Sequence, residues 1–405
     1  MLTIIKIAFL NIWRTPLRSS VVIFSIALGI WAGLFVIAFC YGINHQRTSE
    51  TINSSISHLQ IHNPKFKKDY NNKFNLKEHN KIVKFVNEIK QIKSFCKRTL
   101  SLGMISSTIN SNGVKIIGIE PSKEILVTSI SKKVIEGDFF EKMKKNSILI
   151  GDALAKKLNV KLKSKVVVTF QNSNNEIISG AFRICGIFKT QYTKYDEQNI
   201  FLLSEDFQRI SNDNSFHEIA ILLTDINELN NIENKLKTNF NECLIENWKN
   251  IAPELAYADE VMETWLFLIM VIIMLALIFG IINTMLMAVF ERRRELGMLM
   301  AIGMNKFKIF TLILYETFIL SLIGGPFGMI LAYMTIYLTS KNGINLSIFK
   351  NGLESVGLSS TIYPKIDTNY YIYITLLVLV FTLFSSIFPS KKALKLKPTE
   401  AIKTI

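Results

Sequence analysis

Long apolar segments alternate with short charged ones along this chain. Four segments are almost free of charged side chains and span 19–43, 264–290, 309–340 and 368–390. Each is long enough to cross a bilayer, which takes about 20 apolar residues. At such lengths only a helix satisfies its own backbone hydrogen bonds in lipid. The pattern therefore predicts four transmembrane helices, of which only the third contains a carboxylate, Glu316.

The segment 44–260 lies between the first and second apolar segments and has mixed polarity. It is long enough to bury a hydrophobic core of its own. Apolar alternation typical of strands is interspersed in it with helical periodicity, as in 77–93. The stretch "NSNG" at 110–113 predicts the turn of a β-hairpin. We expect a domain of the α+β class here.

Basic side chains near the apolar segments predict the orientation. On one side are Lys6, Arg14, Arg18, Arg292, Arg293, Arg294, Lys306, Lys308, Lys391, Lys392, Lys395, Lys397 and Lys403. The short loop on the other side has only Lys341, Lys350 and Lys365. Short loops rich in Lys and Arg stay in the cytoplasm. The predicted fold class is a membrane α-helical protein of four transmembrane helices, with a large α+β extracytoplasmic domain between helices 1 and 2.

The predicted organisation follows from these boundaries. In chain order we expect a cytoplasmic amphipathic helix (1–18), transmembrane helix 1 (19–43), an extracytoplasmic domain (44–260), transmembrane helix 2 (264–290), a cytoplasmic helix (291–308), transmembrane helix 3 (309–340), a short extracytoplasmic loop (341–367), transmembrane helix 4 (368–390) and a cytoplasmic tail (391–405).

Composition excludes several function classes. The chain carries a net charge of +15, but 44–260 contains 31 Lys and Arg against 25 Asp and Glu, with no basic stripe, so we expect no nucleic-acid partner. The chain contains no GxSxG, HExxH or Walker A motif, and we expect no catalytic residue and no metal site. His58 and His62 have a spacing that holds metals on helices, but they fall at a predicted strand, where exposed positions are expected.

Cysteine usage leaves two alternatives open. One cysteine, Cys40, falls in the first apolar segment, and Cys96, Cys185 and Cys243 fall in the large domain. Three cysteines in an oxidising compartment allow one disulfide and one spare thiol. Buried thiols that pack as small apolar side chains are the other alternative, and the one we favour.

The stretch "FERRRELGMLMAIGMNKFKIF" at 290–310 separates the second and third apolar segments. Helix propensity is high from Arg292 to Ala301, and Gly303 is a natural stop for the helix. An anchor at the membrane surface needs only charges, whereas this helix also has apolar positions. An exposed apolar patch in such a loop indicates contact with a protein or with lipid.

The block 283–333 resembles FtsX-like ABC transporter permeases, the group that contains MacB and the lipoprotein-releasing permeases LolC and LolE. The matching positions are Glu291, Arg292, Glu295, Leu296, Gly297, Ala301, Gly303, Glu316, Gly324, Gly325 and Gly328. The tail "FPSKKALKLKPTEAI" at 388–402 is similar to the closing motif of this family. Segments 148–168 and 182–203 look like its periplasmic core domain.

The resemblance implies a non-catalytic permease subunit in the inner membrane. Its partners would be a separate ABC-type ATPase that binds ATP and Mg²⁺, a second permease in a homo- or heterodimer, the bilayer, and a periplasmic carrier or adaptor. The chain itself would need no cofactor. ATP-driven motion would be passed to the periplasmic domain (mechanotransmission) to release lipoproteins from the membrane. The alternatives are MacB-like export of drugs or peptides and FtsX-like activation of periplasmic partners.

The resemblance also assigns roles to residues. The helix at 291–308 would be the coupling helix that docks on the ATPase, through Glu291, Arg292, Arg294, Glu295, Leu296, Gly297, Leu299, Ala301 and Gly303. The residues Gly324, Gly325, Pro326 and Gly328 allow close helix packing or a bend in the membrane. Two alternatives stay open for Glu316, which is either an intramembrane functional carboxylate or a structural one that snorkels to the membrane surface or pairs with an arginine of the coupling helix.

Overall fold

A computed structural model describes residues 2–14, 16–140 and 145–394. The chain divides into two compact units. The membrane unit comprises Met1–Asn44, Glu260–Asn345 and Thr361–Ile405, and the outer unit comprises His45–Asp259 and Leu346–Ser360. Most of the predicted tail 391–405, including Lys395, Lys397 and Lys403, lies outside the described residues.

Within the described residues the helices are, in chain order, α1 (Leu2–Arg14), α2 (Pro16–Thr51), α3 (Phe66–Asp69), α4 (His79–Glu88), α5 (Pro121–Val127), α6 (Asp152–Leu158), α7 (Thr193–Gln198), α8 (Ser204–Ser211), α9 (Leu229–Asn239), α10 (Trp248–Ile251), α11 (Pro253–Glu291), α12 (Arg293–Ala301), α13 (Lys306–Asn342), α14 (Lys350–Ser355) and α15 (Thr368–Leu394). A π-helical turn, Ile52–Ile56, follows α2 directly.

The strands are β1 (Leu59–His62), β2 (Ile92–Ser106), β3 (Ser111–Ile119), β4 (Val134–Gly137), β5 (Ser147–Gly151), β6 (Lys165–Gln171), β7 (Ile177–Phe188), β8 (Asn199–Leu203), β9 (Glu218–Leu223), β10 (Leu244–Asn247), β11 (Ile344–Asn345) and β12 (Thr361–Ile362). Three short 3₁₀ turns complete the elements, at Ile130–Lys133, Ile226–Glu228 and Ser347–Phe349.

Among the residues that the structure describes, four helices are long and apolar enough to cross a membrane, namely α2, α11, α13 and α15. The predicted fold class, four transmembrane helices with a large α+β domain between the first two, is confirmed. Two of these helices, α2 and α11, extend well past the predicted apolar segments, because polar residues continue the same backbone hydrogen bonding in water. Apolar side chains of α2, α11 and α13 form the core of the membrane unit, among them Ile30, Leu34 and Ile281.

Small residues bring α13 close to α2. A Cβ added to Gly324 would lie 3.0 Å from the carbonyl oxygen of Ile23, and one added to Gly328 would lie 2.7 Å from that of Ala27. Helices in lipid associate through such close backbone approaches. A Cβ at Gly325 would make only ordinary contacts, with its nearest neighbours at 3.7 Å on α15. Helix α13 runs without interruption through Pro326.

The outer unit is built on a ten-stranded sheet in the order β10-β1-β9-β2-β3-β8-β5-β7-β4, with β6 paired to β2 and β7. Most neighbours are antiparallel, but β3–β8 and β5–β7 are parallel. The predicted hairpin turn at 110–113 is displaced, because Asn112 and Gly113 already pair with β2. The turn lies at 107–110 instead, where the Ser107 hydroxyl accepts hydrogen bonds from the N–H groups of Ile109 and Asn110.

The segment between α13 and α15 is more than a connecting loop. Its residues 346–360 belong to the outer unit. Glu354 of α14 lies 3.3 Å from Lys189, and its carbonyl oxygen accepts a hydrogen bond from the Thr193 hydroxyl. The outer unit is therefore assembled from two separate parts of the chain.

All four cysteines are unpaired in the structure. Cys96 is buried, and the other three are half-buried. Burial raises the pKa of the Cys185 thiol to about 11 and raises that of Cys96 as well. These thiols therefore stay protonated at neutral pH and pack as small apolar groups.

The glycine contacts generate a test of the membrane packing. We expect Gly328→Ala to destabilise the protein by about 1–3 kcal/mol, because the methyl group meets backbone atoms of α2 that cannot move aside. The matched control is Gly280→Ala on α11, where an added Cβ meets nothing within 4 Å. It should be neutral or stabilising by up to about 1 kcal/mol. Equal stabilities in reversible unfolding from mixed micelles would contradict the proposed close approach.

Candidate functional site

The segment between α11 and α13 forms the helix α12, which ends at Ala301, two residues before Gly303, the glycine named as a natural stop. The N–H of Met304 donates to the carbonyl of Leu299 at 3.0 Å, and that of Gly303 donates to Met300 at 3.1 Å. This pair of hydrogen bonds is a Schellman motif, which requires a left-handed residue after the helix. Gly303 supplies it with φ +97°. The N–H of Phe307 then donates to the side chain of Asn305, which caps α13.

One face of α12 packs into the membrane unit. Leu296 and Gly297 are buried, and Met300 packs against the same core, as a helical period of 3.6 residues requires. Leu296 and Gly297, which the resemblance assigns to the docking surface, are thus buried against the bundle in this structure. Their role is to hold the helix against the bundle.

Several apolar side chains of this segment are exposed, and Met298 and Ile302 border the same cavity as Leu296. Met298 is 53% exposed and Ile302 is 80% exposed, and Phe307, at the start of α13, is 67% exposed. Ala301 is exposed as well, whereas Leu299 is half-buried. We call Met298, Ile302 and Phe307 the apolar tip. Sequence reasoning missed Ile302 and Phe307, although their positions on either side of Gly303 could have indicated them.

A buried ion pair fixes the base of α12. The Arg292 Nη1 atom lies 2.9 Å from Oε1 and 3.3 Å from Oε2 of Glu316. The second terminal nitrogen, Nη2, donates to the carbonyl oxygen of Asn11 at 3.0 Å. Both side chains are about nine-tenths buried. Of the two alternatives for Glu316, the structure forms the ion pair with an arginine, and Arg292 is not exposed for docking.

A weaker contact ties α1 to α12. Arg14 Nη1 lies 3.3 Å from Glu295 Oε1, and both side chains are substantially exposed. Exposed pairs of this kind contribute about 0–1 kcal/mol. The two helices and the ends of α11 and α13 surround an open cavity of about 230 Å³. The remaining predicted positions, Glu291 and Arg294, are exposed.

A second group of ionisable side chains is buried in the outer unit. Arg98 donates from Nε and Nη2 to Glu124 at 3.0 and 2.7 Å, and from Nη1 to Glu218 at 2.6 Å. Burial alone would raise the pKa of Glu218, but the charges of Arg98, His62 and Lys115 together outweigh burial and lower it. Sequence reasoning missed this cluster, because β2, α5 and β9 contribute one residue each and no local motif joins them.

His62 belongs to the same buried region, so the expectation that it is exposed is wrong. Its Nδ1 atom lies 3.2 Å from the carbonyl oxygen of His217, and its Nε2 atom lies 3.0 Å from Gln60 Oε1. Burial lowers its pKa. His58 accepts a hydrogen bond from the N–H of Leu223 through Nδ1. Among the described residues no group of three or more His, Cys, Asp or Glu side chains is arranged to hold a metal.

The Arg292–Glu316 pair generates a test by substitution. We expect Glu316→Gln to lower stability by about 3–5 kcal/mol, because it removes the buried partner of the guanidinium and leaves only the more exposed Glu295, 3.9 Å away. Arg14→Ala, which breaks the exposed pair, should cost no more than about 1 kcal/mol. Replacing both partners by methionine should cost less than Glu316→Gln alone. If Glu316→Gln and Arg14→Ala gave the same unfolding midpoint in micelles, the buried pair would not be holding α12.

Comparison with known proteins gives matches along most of the chain. A model described as "MacB-like periplasmic core domain" matches residues 19–239, and one described as "FtsX-like permease C-terminal" matches residues 267–398. An uncharacterised ABC transporter permease of Methanocaldococcus jannaschii is 30% identical over 187 residues, which cover 42% of this chain and 51% of that protein.

Another relative is matched over nearly its whole length. The lipoprotein-releasing system transmembrane protein LolC of Buchnera aphidicola subsp. Acyrthosiphon pisum is 23% identical over 416 residues, covering 98% of this chain and 97% of that protein. Among solved structures, the periplasmic region of MacB from Actinobacillus actinomycetemcomitans matches 52% of this chain and 98% of that one, at 12% identity and a TM-score of 0.35.

Proposed function

The chain belongs to the family of ABC transporter permeases that combine a MacB-like periplasmic core domain with an FtsX-like C-terminal region, and we propose that α12 is its docking element for the ATPase subunit. Members of this family work with an ATPase subunit and are generally non-catalytic. On this proposal ATP and Mg²⁺ bind to the ATPase partner, and this chain needs no cofactor.

The observation that carries the proposal is the exposed apolar tip on a helix fixed from behind. Exposed apolar side chains on a rigid element indicate an interaction site. Three large apolar side chains that fill a groove on a partner would each contribute about 1.5–3 kcal/mol from burial. The exposed charges of Glu291 and Arg294 beside the tip would orient the contact.

A firmly held helix transmits force better than a mobile loop does. The Arg292–Glu316 pair and the buried Leu296 attach α12 to the membrane unit, so a displacement of α12 would also displace α11 and α13. We propose that closure of two ATPase subunits moves α12 in each of two paired permeases. The chain would pass this motion to the outer unit rather than move substrate through a pore.

Orientation follows from the same proposal. Docking of a cytoplasmic ATPase on α12 requires α12, α1 and the C-terminal tail to face the cytoplasm. The excess of basic residues on that side supports this orientation. The outer unit would then be periplasmic, with the protein in the inner membrane.

We expect the double substitution Met298→Glu and Ile302→Glu to abolish ATPase binding, because it places two charges in an apolar contact. The dissociation constant of the variant for the ATPase subunit should rise at least about 100-fold relative to the unmodified protein. The measurement uses the permease in nanodiscs and the ATPase subunit in solution. Ile348→Glu is the matched control, since Ile348 is 92% exposed but belongs to the outer unit. It should bind like the unmodified protein. Unchanged binding of the double variant would remove the docking proposal.

We propose lipoproteins as the substrate. The support is the LolC relative, which this chain matches almost from end to end at 23% sequence identity. A released lipoprotein exposes its acyl chains, so a periplasmic carrier would have to receive it. The second candidate is export of drugs or peptides, which the MacB-like description of the outer unit favours.

A reconstituted release assay distinguishes the two substrates. With its ATPase, the chain in proteoliposomes should transfer a labelled triacylated lipoprotein to the soluble fraction only when ATP and a periplasmic carrier are present. The Met298→Glu and Ile302→Glu variant should release none, because ATP hydrolysis is no longer coupled. ATP-dependent transport of a macrolide or peptide without lipoprotein release would overturn the substrate proposal and leave the docking proposal standing.

A further inference from the structure

The outer unit contains a cavity of about 310 Å³ that the transport proposal does not use. Strands β1, β2, β3 and β9 line it on one side, and the segment 190–199 lines it on the other. All these residues belong to the outer unit. A cavity of this size is at the small end of ligand pockets in proteins.

Most charges at the cavity have partners within the protein. All three side-chain nitrogens of Arg98 are engaged, by Glu124, Glu218 and the carbonyl oxygen of Ser55. Lys67 pairs with Glu246, and Glu50 pairs with Lys133. These groups form a fixed polar wall, and a ligand could not displace them without unpairing a buried charge.

Lys115 differs from them. Its ammonium lies 5.5 Å from the centre of the Tyr70 ring, and among the described residues it has no carboxylate within ion-pair distance. Burial lowers its pKa, as do the positive charges of Arg98 and Lys67, while Glu218 opposes them only in part. An anion beside Lys115 would therefore be stabilised by a charge that the fold leaves without a direct partner.

An unpaired acceptor lines the same cavity. The Oε1 atom of Gln191 is buried and has no hydrogen-bond partner among the described residues. A buried acceptor without a donor is unfavourable, so a ligand that donates a hydrogen bond there would gain affinity. The cavity thus offers one cation without a direct counter-ion and one acceptor, beside the carboxylates of Glu50 and Glu218, which disfavour a multiply charged anion.

We propose that this cavity binds a small hydroxy acid or amino acid. Its single carboxylate pairs with the Lys115 ammonium, and its hydroxyl or amino group donates to Gln191. The Tyr70 ring forms an aromatic wall beside the cation. This site is independent of α12 and of the transported substrate, so its failure and that of the docking proposal are distinguishable.

Thermal unfolding of the full-length protein in detergent tests the ligand class. The probes are L-lactate and the common amino acids, each at about 10 mM, with propionate and inorganic phosphate at the same concentration. At least one hydroxy or amino acid should raise the unfolding midpoint by about 2 °C or more. Propionate, which has no donor group, should raise it less, and phosphate should not raise it. No stabilisation by any hydroxy or amino acid, or greater stabilisation by phosphate, would overturn the proposal.

Substitutions at the cavity test whether the rise in the unfolding midpoint comes from binding at Lys115 and Gln191. Lys115→Met should abolish the rise in the midpoint, and Lys115→Arg should retain part of it. Lys161→Met, at an exposed lysine of the same unit away from the cavity, should retain the full rise. Gln191→Met provides a second test if Lys115→Met does not fold, since it should reduce the rise to that seen with propionate. A full rise in Lys115→Met or in Gln191→Met would contradict the assigned contacts.

Discussion

The buried ion pair of Arg292 and Glu316 determines how α12, the helix between α11 and α13, is held against the membrane unit. A guanidinium at the edge of an apolar bundle is tolerated only when a carboxylate and further acceptors surround it, and Glu316 and the Asn11 carbonyl supply them. The pair fixes Arg292, the residue that precedes α12, and the helical period then determines which side chains of α12 face the core. Leu296 faces the core, and Met298 and Ile302 face outward.

The two ends of α12 are therefore fixed by two different kinds of interaction. An ion pair between Arg292 and Glu316 holds the start of the helix, and Gly303, in the left-handed conformation, ends it. Between them, the nine residues of α12 bury Leu296 and Gly297 and expose Met298. A helix constrained at both ends and packed along one face resists bending, which is the property that a force-transmitting contact requires.

The sequence predicts those elements that depend on interactions between residues close together in the chain. Four apolar segments gave four helices, and Gly303 gave the end of α12, because hydrophobic length and backbone conformation are properties of neighbouring residues. It could not show which side of α12 is buried, since Leu296 and Met298 are equally apolar. It also could not find the cluster of Arg98, Glu124 and Glu218, because sheet pairing between distant strands creates it. The inclusion of α14 in the outer unit was missed as well, because its contacts join residues that are far apart in the chain.

Site-specific photocrosslinking in intact membranes tests the central claim most directly. A photoreactive residue at Ile302 should form an adduct with the ATPase subunit, since this side chain is 80% exposed at the apolar tip. The same residue at Tyr337, an exposed position farther along α13, should form none. An assembled complex without an adduct from position 302, or with equal adducts from both positions, would contradict the account.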